Sequence, residues 1–308
     1  MRFSFILANH SALGQQTLFD IVDALGSQLT DLGHTVTLRD KNLVLDEINI
    51  LIEAFDFATA DNYRRAAEHG CRFIVIMTER PGKPGFNDSN VAGMIERQKA
   101  FPLVAKHAIA VWCLVPGAAP WVRRFHPNVS DLELGWSDHR YKTVFNPSPP
   151  MLDFCYYGSM TPRRQNMINQ IERRGYKVLH NSHADKFQTP RERNQMVNAC
   201  RVVLGIDPFP KWKLVSNSRL ATALSCGRPV IAEPPRGPTG WDKVGVFAKR
   251  RSSYVDEAIA MLQNWEEVRD QQIALAKYWL GPDKVTGPVL ELTRIAEFPE
   301  VKERETAE

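Results

Sequence analysis

The 308-residue chain is 44% hydrophobic and 24% charged, the make-up of a folded globular protein rather than a disordered or fibrous one. Its 39 Lys and Arg against 35 Asp and Glu give a formal net charge of +4, which permits an anionic small molecule, an acidic surface or nucleic acid as partner and selects none of them. No apolar run approaches the roughly 20 residues of a bilayer span. The short apolar start runs into Asn9 and His10, so it reads as a first strand and not as a leader peptide. The first half then alternates. Residues 2–8 form an apolar strand. Leu18, Ile21, Val22, Leu25, Leu29 and Leu32 sit at helical spacing over residues 15–32. Strands are expected at 35–38, 48–55, 72–78 and 109–115, with helices at 58–68 and 90–106 between them.

Residues 117–150 break this rhythm with prolines, tryptophans and polar turns, ending in Asn146-Pro-Ser-Pro-Pro150, and read as a linker or domain boundary. A second series follows, with strands at 152–157, 176–180, 201–206 and 244–248 and helices at 163–174, 191–199, 254–265 and 267–279. The expected architecture is α/β: two Rossmann-like domains of mainly parallel strands facing a cleft. One spans 1–150 and the other 151–280, and a segment 281–308 packs back on the first and frays at its end. The five cysteines are scattered with no CxxC pair, as expected of unpaired thiols in a reducing, cytoplasmic setting, and zinc is not expected.

The richest stretch is Lys213-Leu-Val-Ser-Asn-Ser-Arg-Leu-Ala-Thr-Ala-Leu-Ser-Cys-Gly-Arg-Pro-Val-Ile-Ala-Glu233. Ser216, Asn217 and Ser218 are good helix starters, Gly227 a good stop, and 228–232 a returning strand. Free amides and the positive dipole end at such a start suit a phosphate, and Arg219 and Lys213 add charge. A plain capped helix with a solvated arginine is the bland alternative.

These residues, with Tyr156-Tyr-Gly-Ser159, the nearby Arg163-Arg164 and the segment 199–207, resemble the donor-binding domain of GT-B glycosyltransferases. Within them the likeness is to the spore-maturation-protein type glycosyltransferase-like group, over roughly residues 150–280. The resemblance implies a metal-independent transferase that moves a sugar from a nucleotide-diphospho-sugar, its co-substrate, to an acceptor hydroxyl, with no further cofactor. The acceptor class (glycan, lipid, protein or nucleic acid) stays open. It also implies donor contacts from Ser216 to Arg219, from Gly158 and Ser159, and from the region of Asn181. Many relatives carry an acid five positions before the helix-ending glycine, where it holds the donor ribose; here that position is Thr222, a weaker hydrogen-bonding group.

Gly158 lets an anion approach the backbone or simply makes a tight turn. Arg163 and Arg164 are badly placed for the helix dipole, which points to an anionic partner for one of them or to a plain solvated pair. In the first half, His10 and Glu79 stand at carboxyl ends of strands as candidate general bases, though each also reads as an ordinary loop residue. A sugar-nucleotide epimerase, a non-catalytic nucleotide-sugar-binding homologue and a DNA-modifying glycosyltransferase are the alternatives.

Overall fold

A computed structural model describes residues 1–7, 12–39, 42–53, 55–181, 189–210, 212, 215–237, 239–284, 287–289 and 292; for 12–17 and 181 it describes the backbone alone. The chain folds as α/β around two wholly parallel sheets. The first half runs β1 (Arg2–Ile6), α1 (Ala12–Asp31), β2 (Thr35–Arg39), β3 (Ile48–Ile52), α2 (Phe57–Glu68), β4 (Phe73–Met77), α3 (Ala92–Ala105), β5 (Ala110–Cys113), α4 (Ala119–Val122), β6 (Val129–Asp131) and α5 (Asp138–Val144). The second runs β7 (Leu152–Tyr157), α6 (Pro162–Glu172), β8 (Val178–Asn181), α7 (Pro190–Asn198), β9 (Cys200–Gly205), α8 (Asn217–Ser225), β10 (Val230–Ala232), α9 (Tyr254–Gln263) and α10 (Trp265–Leu280). The strand orders are β2-β1-β3-β4-β5-β6 and β10-β9-β7-β8.

Local chemistry explains these elements. Ile-Asn-Ile-Leu-Ile in β3 and Phe-Ile-Val-Ile-Met in β4 are buried at every position, as befits central parallel strands covered on both faces. Both α6 and α7 start with Thr-Pro. The hydroxyls of Thr161 and Thr189 accept from the amides of Arg164 and Glu192, and the proline takes the first helical position, where no amide is needed. Helix α8 ends at Gly227, whose φ of +67° admits no side chain without strain.

Two expectations are corrected. Residues 117–150 are not a bare linker: they supply α4, the sixth strand of the first sheet and α5. Val-Ser-Asp in β6 is a three-residue edge strand too short for periodicity, and α5 is anchored by a buried arginine rather than an apolar stripe. The strand expected at 244–248 is reduced to a single bridge between Ala232 and Phe247, because a capped 3₁₀ turn occupies 240–244.

One hydrophobic core runs through both halves. Phe3, Leu25 and Leu29 of the first belong to the same cluster as Leu220, Leu224 and Trp241 of the second. Polar clasps cross the same seam. Arg140, 1% exposed, donates from Nε to Asp23 Oδ2 (3.0 Å) and from Nη2 to Thr222 Oγ1 (2.8 Å). Arg193 pairs with Asp20 and, at 3.2 Å, with Asp23. Trp241 Nε1 donates to the Leu134 carbonyl (3.0 Å), and the Trp136 amide to the Leu280 carbonyl at the end of α10 (2.8 Å).

Candidate functional site

The carboxyl end of β7 delivers Tyr156, Tyr157 and Gly158 to the edge of the second sheet, opposite the first turn of α8. The Arg219 guanidinium lies 5.4 Å from the ring centroid of Tyr156 and 5.3 Å from that of Tyr157. Two aromatic faces attract the cation and fix its position. Its Nε is buried without a hydrogen-bond partner. Gly158 has φ +126°, and a Cβ there would come 2.8 Å from Arg219 Nη2, so the glycine is what allows the guanidinium to seat. Ser216 stands at the N-cap of α8, yet its hydroxyl makes no capping bond. The expected side-chain cap is therefore missing, and Ser216 and Arg219 instead line a cavity of about 170 Å³ at the carboxyl ends of β9 and β10.

The other charges of that cavity are answered internally. Glu233, fully buried, accepts from Arg163 Nη1 at 2.7 Å and Arg163 Nη2 at 2.5 Å, and from Arg251 Nη1 at 3.2 Å. Asp207 pairs with Arg251 at 2.7 Å, and burial lifts its carboxyl to about 6 against that pull. Arg164 donates to the carbonyls of Ile206 (2.8 Å) and Ser159 (2.6 Å), and burial pulls its guanidinium down to about 10, still charged at neutral pH. Four arginines thus face two carboxylates: Arg163 and Arg251 are ion-paired, Arg164 is held by carbonyls, and Arg219 is left against the two tyrosine rings.

The expected donor residues separate accordingly. Ser216, Arg219 and Gly158 come together at the cavity edge. Ser159 contributes its carbonyl as a brace for Arg164 and for Tyr156 Oη (3.1 Å). Arg163 does face an anion, and that anion is the protein's own Glu233, 70 residues away. Thr222 is likewise engaged within the protein. It is fully buried, its hydroxyl accepting from Arg140 and donating to the Ser218 carbonyl at 2.7 Å, so it ties α8 to α5. Asn181 ends β8 in register with Tyr157, described by its backbone alone. Lys213 and His10 lie outside the described residues.

Glu79 follows β4 at the carboxyl edge of the first sheet. It accepts from Asn87 Nδ2 and sits 3.9 Å from Arg97 Nη1. Beside it is Glu53, which sequence reading missed: its side chain is 1% exposed, Oε1 accepts from Thr78 Oγ1 at 2.9 Å, and Oε2 has no partner. Burial, reinforced by the charge of Glu79, pushes the Glu53 carboxyl up to about 8. The sequence signal was its position directly after the apolar run Ile50-Leu51-Ile52, where a lone acid costs desolvation.

A second cavity of about 580 Å³ opens between the halves. Leu114, Asp131, Leu132 and Glu133 wall it from the first half, and Asn217, Thr239, Gly240, Lys243, Trp279 and Leu280 from the second. Glu133 accepts from Thr239 Oγ1 and the Gly240 amide, both at 2.9 Å, joining the two sides. Asn217 is 8% exposed and its Oδ1 lacks a partner. Among the described residues no group of three or more His, Cys, Asp or Glu is placed to hold a metal ion, and no helix is long and apolar enough to cross a membrane.

No family model matches the chain, and no curated protein does. Among solved structures, it is similar to the DNA modifying enzyme beta-glucosyltransferase, studied with and without the substrate uridine diphosphoglucose. The identity is 11% over 96% of this chain and 98% of that one, with a TM-score of 0.47. A UDP-forming alpha,alpha-trehalose-phosphate synthase from Burkholderia xenovorans is similar at 8% identity over 92% and 79%, TM-score 0.48. The spinosyn rhamnosyltransferase SpnG complexed with thymidine diphosphate is similar at 10% over 96% and 99%, TM-score 0.39. These likenesses concern the course of the chain. The chemistry of the site rests on its own residues.

Proposed function

We propose that this protein is a glycosyltransferase that takes a nucleotide-diphospho-sugar as donor and passes the sugar to an acceptor hydroxyl without a metal ion. The observation that carries the reading is Arg219: a cation held between two tyrosine faces at a helix start, against a positive-φ glycine, with Nε unpartnered. Helix starts and arginine together favour phosphate oxygens. A cavity of about 170 Å³ is smaller than the 300–1,000 Å³ common for whole ligands, so it suits the diphosphate, with the rest of the donor lying along the neighbouring surface.

In the transfer, the acceptor oxygen forms a bond to the sugar's anomeric carbon while the bond from that carbon to the diphosphate breaks. The diphosphate leaves with the electron pair, and Arg219 with the α8 amides stabilises the charge that develops on it. The hydroxyl proton passes to a base on the first half, for which His10 and Glu79 are the candidates.

Titration of the full chain with UDP, GDP and dTDP and their glucose conjugates tests this. At least one should raise the melting temperature, as any ligand that binds only the folded form does. Arg219→Ala should weaken that binding by about 1.5–3 kcal/mol, the range for hydrogen bonds to charged groups, without unfolding the chain. Equal affinity in the variant would remove Arg219 from its role. Turnover unaffected by EDTA is the outcome expected of the metal-free reading.

A further inference from the structure

We propose that the larger cavity between the halves takes the acceptor, and that this acceptor is a neutral, hydroxylated ring such as a glycoside, not an anion and not a nucleic acid strand. The proposal rests on the donor reading above and deepens it.

Position comes first. Ser216 walls the smaller cavity and Asn217, the next residue, walls the larger one. Adjacent Cα atoms are about 3.8 Å apart. The start of α8 is therefore the partition between the two spaces, and a sugar carried on a diphosphate at one side is presented to whatever fills the other. Size agrees, since about 580 Å³ accommodates a ring with substituents.

The lining then sets the chemistry. Leu114, Leu132, Leu280 and the Trp279 indole supply an apolar surface for the flat C–H face of a ring. Lys243 currently covers one face of that indole, its Nζ 3.9 Å from the ring centroid, and its long stem can yield the face to a ligand. Among the polar groups, Asn217 Oδ1 and the exposed Asp131 carboxylate are acceptors, while Glu133 already accepts from Thr239 and Gly240, and acceptors call for hydroxyl donors from the ligand. Of the two lysines in the wall, Lys284 is already paired with Asp283 at 3.3 Å. The two carboxylates offset what positive charge remains. A polyanion needs a basic track, and the cavity offers none.

Binding to the full chain is the test. The probes are the methyl glycosides of glucose, galactose and mannose, against glucose 6-phosphate and a duplex oligonucleotide, followed by ligand-observed NMR and tryptophan fluorescence, with UDP titrated separately. At least one methyl glycoside should bind. Trp279→Ala should weaken it about tenfold or more, with Trp279→Phe restoring most of the loss because a smaller aromatic face remains. Asp131→Lys, at an exposed position, should bring glucose 6-phosphate up about tenfold, because a like charge has been replaced by an opposite one. UDP binding retained by each variant shows that it is folded. If UDP binds but no glycoside does, or if phosphorylated sugar or DNA is preferred, or if both variants leave the affinities alone, the proposal is overturned while the donor reading stands. If neither UDP nor any other nucleoside diphosphate binds the unaltered chain, both fall together.

Discussion

Each sheet carries a buried glutamate at its carboxyl edge, and the two are handled in opposite ways. Glu53, beyond β3, has a hydroxyl partner on one oxygen and none on the other, with Arg97 no closer than 3.8 Å to its carboxylate and Glu79 alongside. Burial answers by raising its proton affinity until the acid is largely neutral at pH 7. Glu233, beyond β10, is gripped by Arg163 and Arg251. The same residue type in the same topological place is thus silenced by a proton in one sheet and by guanidinium groups in the other. Counting charges along an edge therefore says little about what a ligand meets; pairing decides it, and on the second edge pairing leaves Arg219 as the open cation.

Three experiments break or sharpen this contrast. The largest effect is expected from Arg163→Ala, which leaves a fully buried carboxylate with Arg251 as its remaining cation and the Asp207 amide as a further donor. Stability measured by urea unfolding should fall by about 3 kcal/mol, at the lower end for breaking a buried pair because the second arginine remains.

Glu53→Gln comes next, and its effect depends on pH. The folded-state value of about 8 lies above the ordinary 4.5, so the native chain holds this proton across that window and the unfolded chain does not. The contribution of Glu53 to stability is full below pH 4.5 and is lost as pH rises through 8. Wild type should lose up to a few kcal/mol between pH 5 and pH 9 from this group, and the glutamine variant should not, so the two stability–pH curves diverge on the alkaline side. Parallel curves would mean that Glu53 is ionised throughout.

The smallest effect belongs to Thr222→Val. Losing the hydroxyl that Arg140 donates to should cost about 1–2 kcal/mol of stability and leave nucleoside diphosphate affinity unchanged. A fall in affinity instead would return Thr222 to the donor site.

The alternation of strands and helices was legible because apolar runs and helical spacing are local properties, and so was the stop at Gly227. The start of α8 was legible too, since Ser216-Asn217-Ser218-Arg219 carries its meaning in four adjacent residues. What stayed hidden was long-range. Nothing near Arg163 announces Glu233, and nothing near Thr222 announces Arg140, 82 positions earlier. Tyr156 and Tyr157 were visible as a pair, but their role as the seat of Arg219 depends on α8 folding back across β7. The short β6 and the polar α5 escaped because three residues show no period and because Arg140 is the buried anchor where an apolar side chain is usual.

The unbroken apolar interior linking Phe3 and Leu25 to Leu224 and Trp241 limits how the molecule can move and be dissected. Two bodies that share one interior do not swing apart like jaws, since any wide opening would wet side chains on both sides of the seam. A truncation near residue 150 would bare that interior on each fragment, and heating the intact chain should give one transition rather than two.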